Sequence, residues 1–287
     1  MSNLLRANFV RLKKSKVFWL AVAAVLIISA VNCIDSGRRA IANPNTNPPL
    51  EYICFNMGPF LPIFISAFVS LFLGTDYSDG TIRNKLVIGQ KRSAIYLANS
   101  ITCGFAAVVM CLAWHIGSLA GIPFLGVWNV GIAGWLLYVL LSILFTLAVC
   151  AIFCLISHLW TNKAVVSVFA IILSLVMIFA GSSLYNGLLE PEETRDYIAA
   201  VDADTGEMQI IPSDPRPNPN YIAEPMRTPC MIALNSLPTG QAILIANVTD
   251  SSREMLAMPL VQPFASAAII MLFTAAGTAA YKRKDLK

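Results

Sequence analysis

The sequence predicts an all-α integral membrane protein with six transmembrane helices, an N-terminal interfacial helix and a large extracellular loop between spans five and six. Hydrophobic residues make up 57% of the 287-residue chain and charged residues only 13%, whereas soluble domains average about 25% charged residues. The mean hydropathy is +0.68. Six apolar runs are long enough to cross a hydrocarbon core, which takes about 20 helical residues.

The predicted spans are Val17 to Ile34, Ile53 to Gly74, Leu97 to Ile122, Gly134 to His158, Ala164 to Tyr185 and Met258 to Tyr281. In span two, Pro59 and Pro62 each remove a backbone donor, which predicts either a kink or an irregular start of the helix. The chain thus divides into an interfacial helix (1–16), spans one to five (17–185) with a polar inner loop (75–93), an extracellular loop (186–257), and a sixth span with a basic tail (258–287).

The distribution of Lys and Arg predicts the orientation, because cationic loops stay on the cytoplasmic side. With the N-terminus inside, 14 of the 20 basic residues fall in inner segments. Of the 16 acidic residues, only Asp76, Asp79 and Asp285 fall inside. Both termini are therefore predicted to be cytoplasmic.

The segment before span one combines apolar residues at helical spacing with basic ones. Leu4, Leu5, Phe9 and Leu12 recur on one face of the predicted helix. This pattern is typical of a helix that lies on the inner leaflet in contact with lipid. It predicts an anchor for span one, or a helix that also touches a cytosolic partner.

The chain lacks the residue patterns of an enzyme or an ion-coupled transporter. Ion coupling requires ionisable groups at membrane depth, and His115 is the only such candidate well inside a span. No H-E-x-x-H pattern and no G-x-x-x-x-G-K-[ST] phosphate loop occurs. We therefore expect no catalytic residue, cofactor, metal or nucleic-acid partner, and any energy for work would come from another chain.

The seven cysteines show no metal-binding spacing. Four fall within predicted spans, where a free cysteine packs as a small apolar side chain: Cys103, Cys111, Cys150 and Cys154. Cys33 and Cys54 lie at the outer ends of spans one and two. A disulfide between them requires a close approach of the two helix ends, which the sequence leaves open.

A polar stretch follows span two, between two long apolar runs. It runs from Thr75 to Leu86 with the sequence TDYSDGTIRNKL. Asp79-Gly80 suits a tight turn, and Thr81 suits the N-cap of a helix. The stretch therefore predicts a turn followed by a short helix at the inner side of the membrane.

Within that helix, Ile82 and Leu86 share one face at i, i+4 spacing, while Arg83 and Lys85 point elsewhere. The pattern predicts an amphipathic helix whose apolar face docks into a groove on a partner. An ordinary connector with a polar face to solvent is the alternative. On the first interpretation, this helix receives force from the partner.

The run from Gly74 to Leu86, followed by Gly89 and then by Ser93 to Leu97, resembles the permease subunits of bacterial type-2 ABC transporters. The outer segment from Asn235 to Gln241, NSLPTGQ, is similar to one that these permeases carry before their last span. The resemblance covers essentially the whole chain, from the inner-surface helix to the large outer loop before span six.

The resemblance implies a multi-pass protein of the bacterial plasma membrane that works with a separate ABC ATPase subunit and a second permease copy or a homologous permease. Members of the family export peptides, drugs, lipids or glycans. The N-terminal helix would be a connecting helix beside the ATPase. The residues implied for ATPase coupling are Asp79, Gly80, Thr81, Ile82, Arg83 and Leu86.

The long outer loop departs from a minimal permease. Asn186 to Glu254 carries eleven acidic residues against four Arg and no Lys. This charge would attract cationic peptides, which favours peptide export or antimicrobial-peptide immunity, although the orientation rule alone also explains a loop poor in Lys and Arg. A short helix, Thr239 to Asn247, is expected to lean on the outer membrane surface. The alternative function is a non-transporting adaptor or sensor with an external ligand-binding loop.

Overall fold

The computed structural model describes residues 1–42, 50–124, 129–160, 162–201, 208–248 and 251–283, and most of them are helical. The helices are α1 (Ser2–Lys14), α2 (Lys16–Ala42), α3 (Leu50–Phe55), α4 (Leu61–Ser78), α5 (Thr81–Val87), α6 (Arg92–Ser118), α7 (Gly131–Leu159), α8 (Lys163–Leu189), α9 (Arg227–Ser236), α10 (Pro238–Ala246), α11 (Ser251–Leu256) and α12 (Val261–Arg283). Two 3₁₀ helices are Gly58–Phe60 and Leu119–Phe124.

Between α8 and α9 the described chain contains short strands instead of helix. They are β1 (Glu193–Thr194), β2 (Tyr197–Val201), β3 (Met208–Pro212) and β4 (Arg216–Pro217). β2 pairs with β3 and β1 pairs with β4, both antiparallel. The proline-rich part of the outer loop is therefore a pair of small hairpin-like ladders.

Six helical segments of the described chain are long and apolar enough to cross a membrane. They are Lys16–Arg39, Glu51–Ser78, Arg92–Pro123, Gly131–Leu159, Lys163–Leu189 and Val261–Arg283. These segments coincide with the six spans expected from the sequence, so the prediction of an all-α multi-span membrane protein is confirmed. α9 and α10 pass the same test only as a pair, with a bend of 91° between them.

Span two changes helix type at its prolines, within a single candidate span from Glu51 to Ser78. α3 ends at Phe55, a 3₁₀ helix covers Gly58–Phe60, and α4 begins at Leu61 with Pro62 in its first turn. A proline in the first turn loses no intrahelical hydrogen bond. The chain therefore changes helix type at the point where the prolines make a continuous α-helix costly.

The largest apolar core lies between α4, α6 and α7, with α2, α8 and α10 packed around it. α2 and α6 approach each other closely at Gly117, where a Cβ atom would lie 3.0 Å from the Cβ of Ser29 and would also collide with the carbonyl of Leu26. Glycine at position 117 thus allows α2 and α6 to pack closely within one subunit.

α10 does not lie on the membrane surface. All nine of its residues are buried, and Thr239 donates a hydrogen bond of 2.6 Å to the carbonyl of Met177 in α8. The expectation of a surface helix over Thr239 to Asn247 is therefore wrong. The helix is apolar around most of its circumference, and a helix of that kind is stable when buried on all sides.

The cysteines are all free thiols. The four in the spans are buried, as expected. Cys33 and Cys54 are also buried and share a small cluster with Ile53. Their thiols hydrogen-bond to backbone carbonyls, at 3.6 Å to Ile53 and 3.5 Å to Ser118 respectively, so this structure contains no disulfide between them.

Candidate functional site

α5 follows α4 after a left-handed turn at Gly80, whose φ is +67°. Glycine adopts this conformation without steric cost. Gly80 occupies the N-cap position, and no side chain caps the helix. The assignment of Thr81 as the N-cap is therefore wrong by one residue, because the glycine lets the chain enter the helix earlier.

The apolar face of α5 packs against its own chain. Ile82 is 3% exposed and lies in a cluster with Leu4 of α1, Ile95 of α6 and Tyr281 of α12, with Leu86 packed against the same cluster. The helix ends around α5 thus supply the groove that the sequence analysis assigned to a partner. The expectation that Ile82 and Leu86 are the docking face does not fit this burial.

The side of α5 that faces away from the bundle is formed by Arg83, Asn84, Val87 and the following Ile88, which we call the outer face of α5. Val87 is 79% exposed and Ile88 is 71% exposed. Sequence analysis missed these two aliphatic residues because they break the i, i+4 pattern. They are two adjacent large apolar side chains next to the exposed polar side chains of Arg83 and Asn84.

A buried carboxylate lies beneath α5. Asp76, in the last turn of α4, is 1% exposed and forms ion pairs with Arg11 of α1 and with Lys85 of α5, the latter at 3.3 Å between Nζ and Oδ2. The Arg11 guanidinium also donates to the carbonyl of Phe72 at 3.0 Å and lies 3.8 Å above the centre of that ring. One carboxylate therefore joins three helices.

The two cations share a site that disfavours uncompensated charge. Burial, and secondly the charge of Arg11, lower the pKa of Lys85 to about 8. Burial also lowers the pKa of the Arg11 guanidinium. Desolvation disfavours the charged form of each base, and Asp76 is the carboxylate that both cations contact.

Amide side chains extend this cluster into the bundle. The Lys85 ammonium donates to Asn8 Oδ1 at 3.2 Å, and Asn8 Nδ2 donates to Asn99 Oδ1 at 2.8 Å. Asn99 Nδ2 lies 3.3 Å from His158 Nε2, and His158 Nδ1 lies 2.7 Å from the carbonyl of Cys154. A carbonyl accepts only, so Nδ1 carries the proton and Nε2 accepts from Asn99.

Together, Asn8, Arg11, Asp76, Lys85, Asn99 and His158 form what we call the polar network. Aromatic side chains close around its far end: the rings of Tyr96 and Tyr281 lie 4.7 and 5.2 Å from the His158 ring, and Tyr77 donates to the His158 carbonyl at 3.2 Å. Sequence analysis missed the network. The available signals were the acidic and basic residues of the inner loop and a lone Asn on the apolar face of α1.

The predicted interfacial helix, α1, packs against α6. Leu12 is buried, Leu5 and Phe9 are partly buried, and the Phe9 ring contacts Phe105 edge-on at 5.2 Å. The apolar face of α1 is therefore covered in part by protein. Asp79, at the start of the turn before α5, is exposed.

The segment Asn235 to Gln241 closes the bend between α9 and α10 with neutral side chains. Asn235 Nδ2 donates to the carbonyls of Met231 and Leu256, both at 2.8 Å, and Oδ1 accepts from the Met258 amide at 2.8 Å. Gln262 Nε2 of α12 also donates to Asn235 Oδ1, at 3.0 Å. This residue ties the bent helix pair to span six.

A cavity of about 300 Å³ opens at the end of the bundle opposite α5, between the start of span two, α8 and α10. Its lining includes the aromatic rings of Tyr52, Phe60 and Tyr185 and the amides of Asn56 and Asn186. No charged side chain lines it among the described residues. It can therefore receive neutral hydrogen-bonding groups.

The family described as ABC-2 family transporter protein matches residues 21–201. The chain belongs to this family. No curated protein matches the chain at a significant level. As a member of the ABC-2 family it is a membrane permease subunit of an ABC transporter, located in a membrane, and membership implies an ABC ATPase as its partner.

Proposed function

We propose that this permease works in an exporter, that a separate nucleotide-binding subunit hydrolyses the ATP, and that this subunit docks on the outer face of α5. The observation that carries the proposal is the division of α5 into two faces. One is buried in an apolar cluster that also contains residues of α1, α6 and α12, while Val87 and Ile88 are exposed at 79% and 71%. A helix held in this way transmits a displacement of its free face to the bundle.

The proposal places α1, α5 and both chain termini in the cytoplasm of a bacterial cell. The predominance of basic residues in these segments supports this orientation. A second permease, either a copy of this chain or a homologue, would complete the membrane core. The region from Asp79 to Leu86 then belongs to the coupling element, with Ile82 and Leu86 seating it and Arg83 contacting the partner.

Co-purification of the ATPase with variants of α5 tests the docking. Val87→Glu and Ile88→Glu place a charge against the partner without disturbing the buried face, and burying an unpaired charge costs several kcal/mol. We expect loss of the ATPase at unchanged membrane expression. The matched control is Met208→Glu, a change at a 77% exposed apolar residue of β3, and equal ATPase recovery from all variants would refute docking on this face.

Peptides are the favoured substrates, with export or antimicrobial-peptide immunity as the task. The loop from Asn186 to Glu254 is strongly acidic, and two of its four Arg side chains are engaged with backbone carbonyls: Arg227 with Leu188 at 3.1 Å and Arg253 with Leu244 at 3.1 Å. The eleven acidic side chains of the loop outnumber its four Arg, and this excess of negative charge supports attraction of cationic ligands.

Stimulated ATP turnover tests the substrate class. The reconstituted permease and ATPase complex is titrated with a cationic amphipathic peptide and with an anionic peptide of the same length. Stimulation by the cationic peptide alone, reduced by added salt, is the expected result. Equal stimulation by both peptides, or by neither, would remove the support for peptide selection by charge while leaving the permease assignment intact.

A further inference from the structure

We propose that Asp76 is a positioning residue that fixes the rotation of α5 about its axis, and that the polar network makes α1, α4, α5, α6 and α7 respond as one unit when α5 is displaced. The inference rests on the proposed docking of an ATPase on α5. It concerns residues that lie behind the docking face, so the two proposals can fail separately.

α5 cannot hold its own conformation. It has seven residues, whereas an isolated helix in water needs roughly 12–15 residues to be even marginally stable. Its buried side makes two kinds of contact: Ile82 and Leu86 pack in an apolar cluster, and Lys85 reaches Asp76 and Asn8. The burial of Ile82 and Leu86 selects the side of the helix that faces the bundle, but apolar packing is non-directional and leaves freedom of rotation about the axis. Directional hydrogen bonds from Lys85 set its rotation.

Asp76 holds one cation with each of its carboxylate oxygens. The carboxylate faces Arg11 from α1 on one oxygen and Lys85 from α5 on the other. Buried ion pairs are stable only when each charge keeps its partner. Moving α5 without α1 and α4 would therefore leave the Lys85 ammonium without its carboxylate partner. The three helices are held to one relative position by this requirement.

The amides carry the connection further into the bundle. Asn8 accepts from Lys85 and donates to Asn99, which in turn donates to His158. Each amide uses its oxygen towards α5 and its NH₂ group towards α7, so a shift of Lys85 removes a partner from Asn8 and disturbs each following bond. Asn8, Asn99 and His158 are all buried, where an unpaired polar group is costly. The shift of α5 thus reaches α7 through side chains on α1 and α6.

Spin-label distance measurements on the permease in lipid nanodiscs test the inference without the ATPase. Labels at cysteines introduced at Val87 in α5 and at Val165 in α8, which is exposed and outside the network, report the position of α5. The background carries Cys230→Ser, since the other six native cysteines are buried. We expect one narrow distance distribution in the parent protein and a broadened or shifted one in Asp76→Asn and Lys85→Met.

Two control variants and one milder variant make the outcome decisive. Arg83→Met removes an exposed cation from the same helix and Lys85→Arg keeps the ion pair, so both should retain the parent distribution. Asn8→Ala removes an uncharged member and should broaden the distribution even if Asp76→Asn does not fold. A parent-like distribution in both Asn8→Ala and any folded Asp76→Asn or Lys85→Met variant would overturn the inference.

Co-purification separates this inference from the proposed function. If the ATPase does not bind the outer face of α5 but Asp76→Asn still alters the distance distribution, the network stands as the positioning device and the docking proposal falls. If the ATPase binds there and none of the network variants alters the distribution, the docking proposal stands and the positioning role of Asp76 falls.

Discussion

The two ends of the bundle each contain a buried polar cluster, but they are built from different side chains. Near α5, Arg11, Asp76 and Lys85 supply full charges from three helices. At the bend between α9 and α10, Asn235 and Gln241 supply neutral amides. Buried charges are costly whenever a partner is lost, whereas a neutral amide has a smaller desolvation cost.

The difference indicates different mechanical roles. The amide cluster closes the 91° bend between α9 and α10, and its hydrogen bonds lie close to the backbone of the bend itself. The charged cluster joins long side chains from separate helices at a surface end of the bundle. The first arrangement holds a fixed shape, and the second makes separate elements depend on one another.

The largest expected effect is the loss of stability in Asp76→Asn. Removing one member of a buried ion pair costs about 3–5 kcal/mol, because Arg11 and Lys85 then share no carboxylate. Thermal unfolding of the purified permease in detergent measures the loss. Asp79→Asn is the matched control, since Asp79 is exposed. Similar unfolding temperatures for the two variants would show that the charged cluster contributes little.

A smaller loss is expected at the opposite end for Gln241→Met. Gln241 donates to the carbonyls of Asn235 and Gln262 and accepts from the Ser266 hydroxyl at 2.8 Å. Leaving buried partners unsatisfied costs about 1–3 kcal/mol. The same unfolding measurement applies, with Ser183→Ala on the exposed side of α8 as control. A loss as large as that of Asp76→Asn would erase the proposed distinction between the two clusters.

The charged cluster should also give a pH dependence that the amide cluster lacks. Because the folded pKa of Lys85 is about 8, below its ordinary value of 10.5, the unfolded chain binds more protons between these values. Lys85 therefore makes the free energy of unfolding increase as the pH rises between about 8 and 10.5. The stability of the parent protein relative to Lys85→Met should increase between about pH 8 and 10, and Gln241→Met should show no such trend relative to the parent.

The smallest effect on stability is expected for Arg83→Ala. Arg83 is exposed on the outer face of α5, and surface substitutions away from special features usually change stability by less than about 0.5 kcal/mol. The unfolding temperature should stay that of the parent protein. A loss comparable to Gln241→Met would mean that Arg83 belongs to the folded cluster and not to a surface left free for a partner.

The sequence and the structure lead to different expected effects of the substitution Ile82→Glu. From the sequence alone, Ile82 is an apolar residue of a short polar loop, and a charge there would disturb only a partner. The structure buries it in a cluster with Leu4 and Tyr281, which are distant in sequence. The substitution should therefore destabilise the permease itself, so Val87 and Ile88 are the residues with which docking can be tested.

The sequence by itself determined the class of protein, the six spans and the presence of a short helix after span two. These features depend on local quantities: the length of an apolar run, the positions of prolines, and a turn followed by i, i+4 spacing. Each can be identified within a window of about 30 residues, without knowing which distant residues pack against that window. For this reason an irregularity of span two at its prolines was within reach of the sequence.

Only the tertiary structure decided which face of α5 is free, that α10 is buried, and that Asn8, Asp76 and His158 belong to one network. Asn8 and Asn99 are separated by 91 residues, and Arg11 and Asp76 by 65. A single sequence records the polarity of each of these side chains but not which of them meet. A buried polar residue destabilises the folded protein when it has no partner. It links two helices when folding brings a partner within hydrogen-bonding distance.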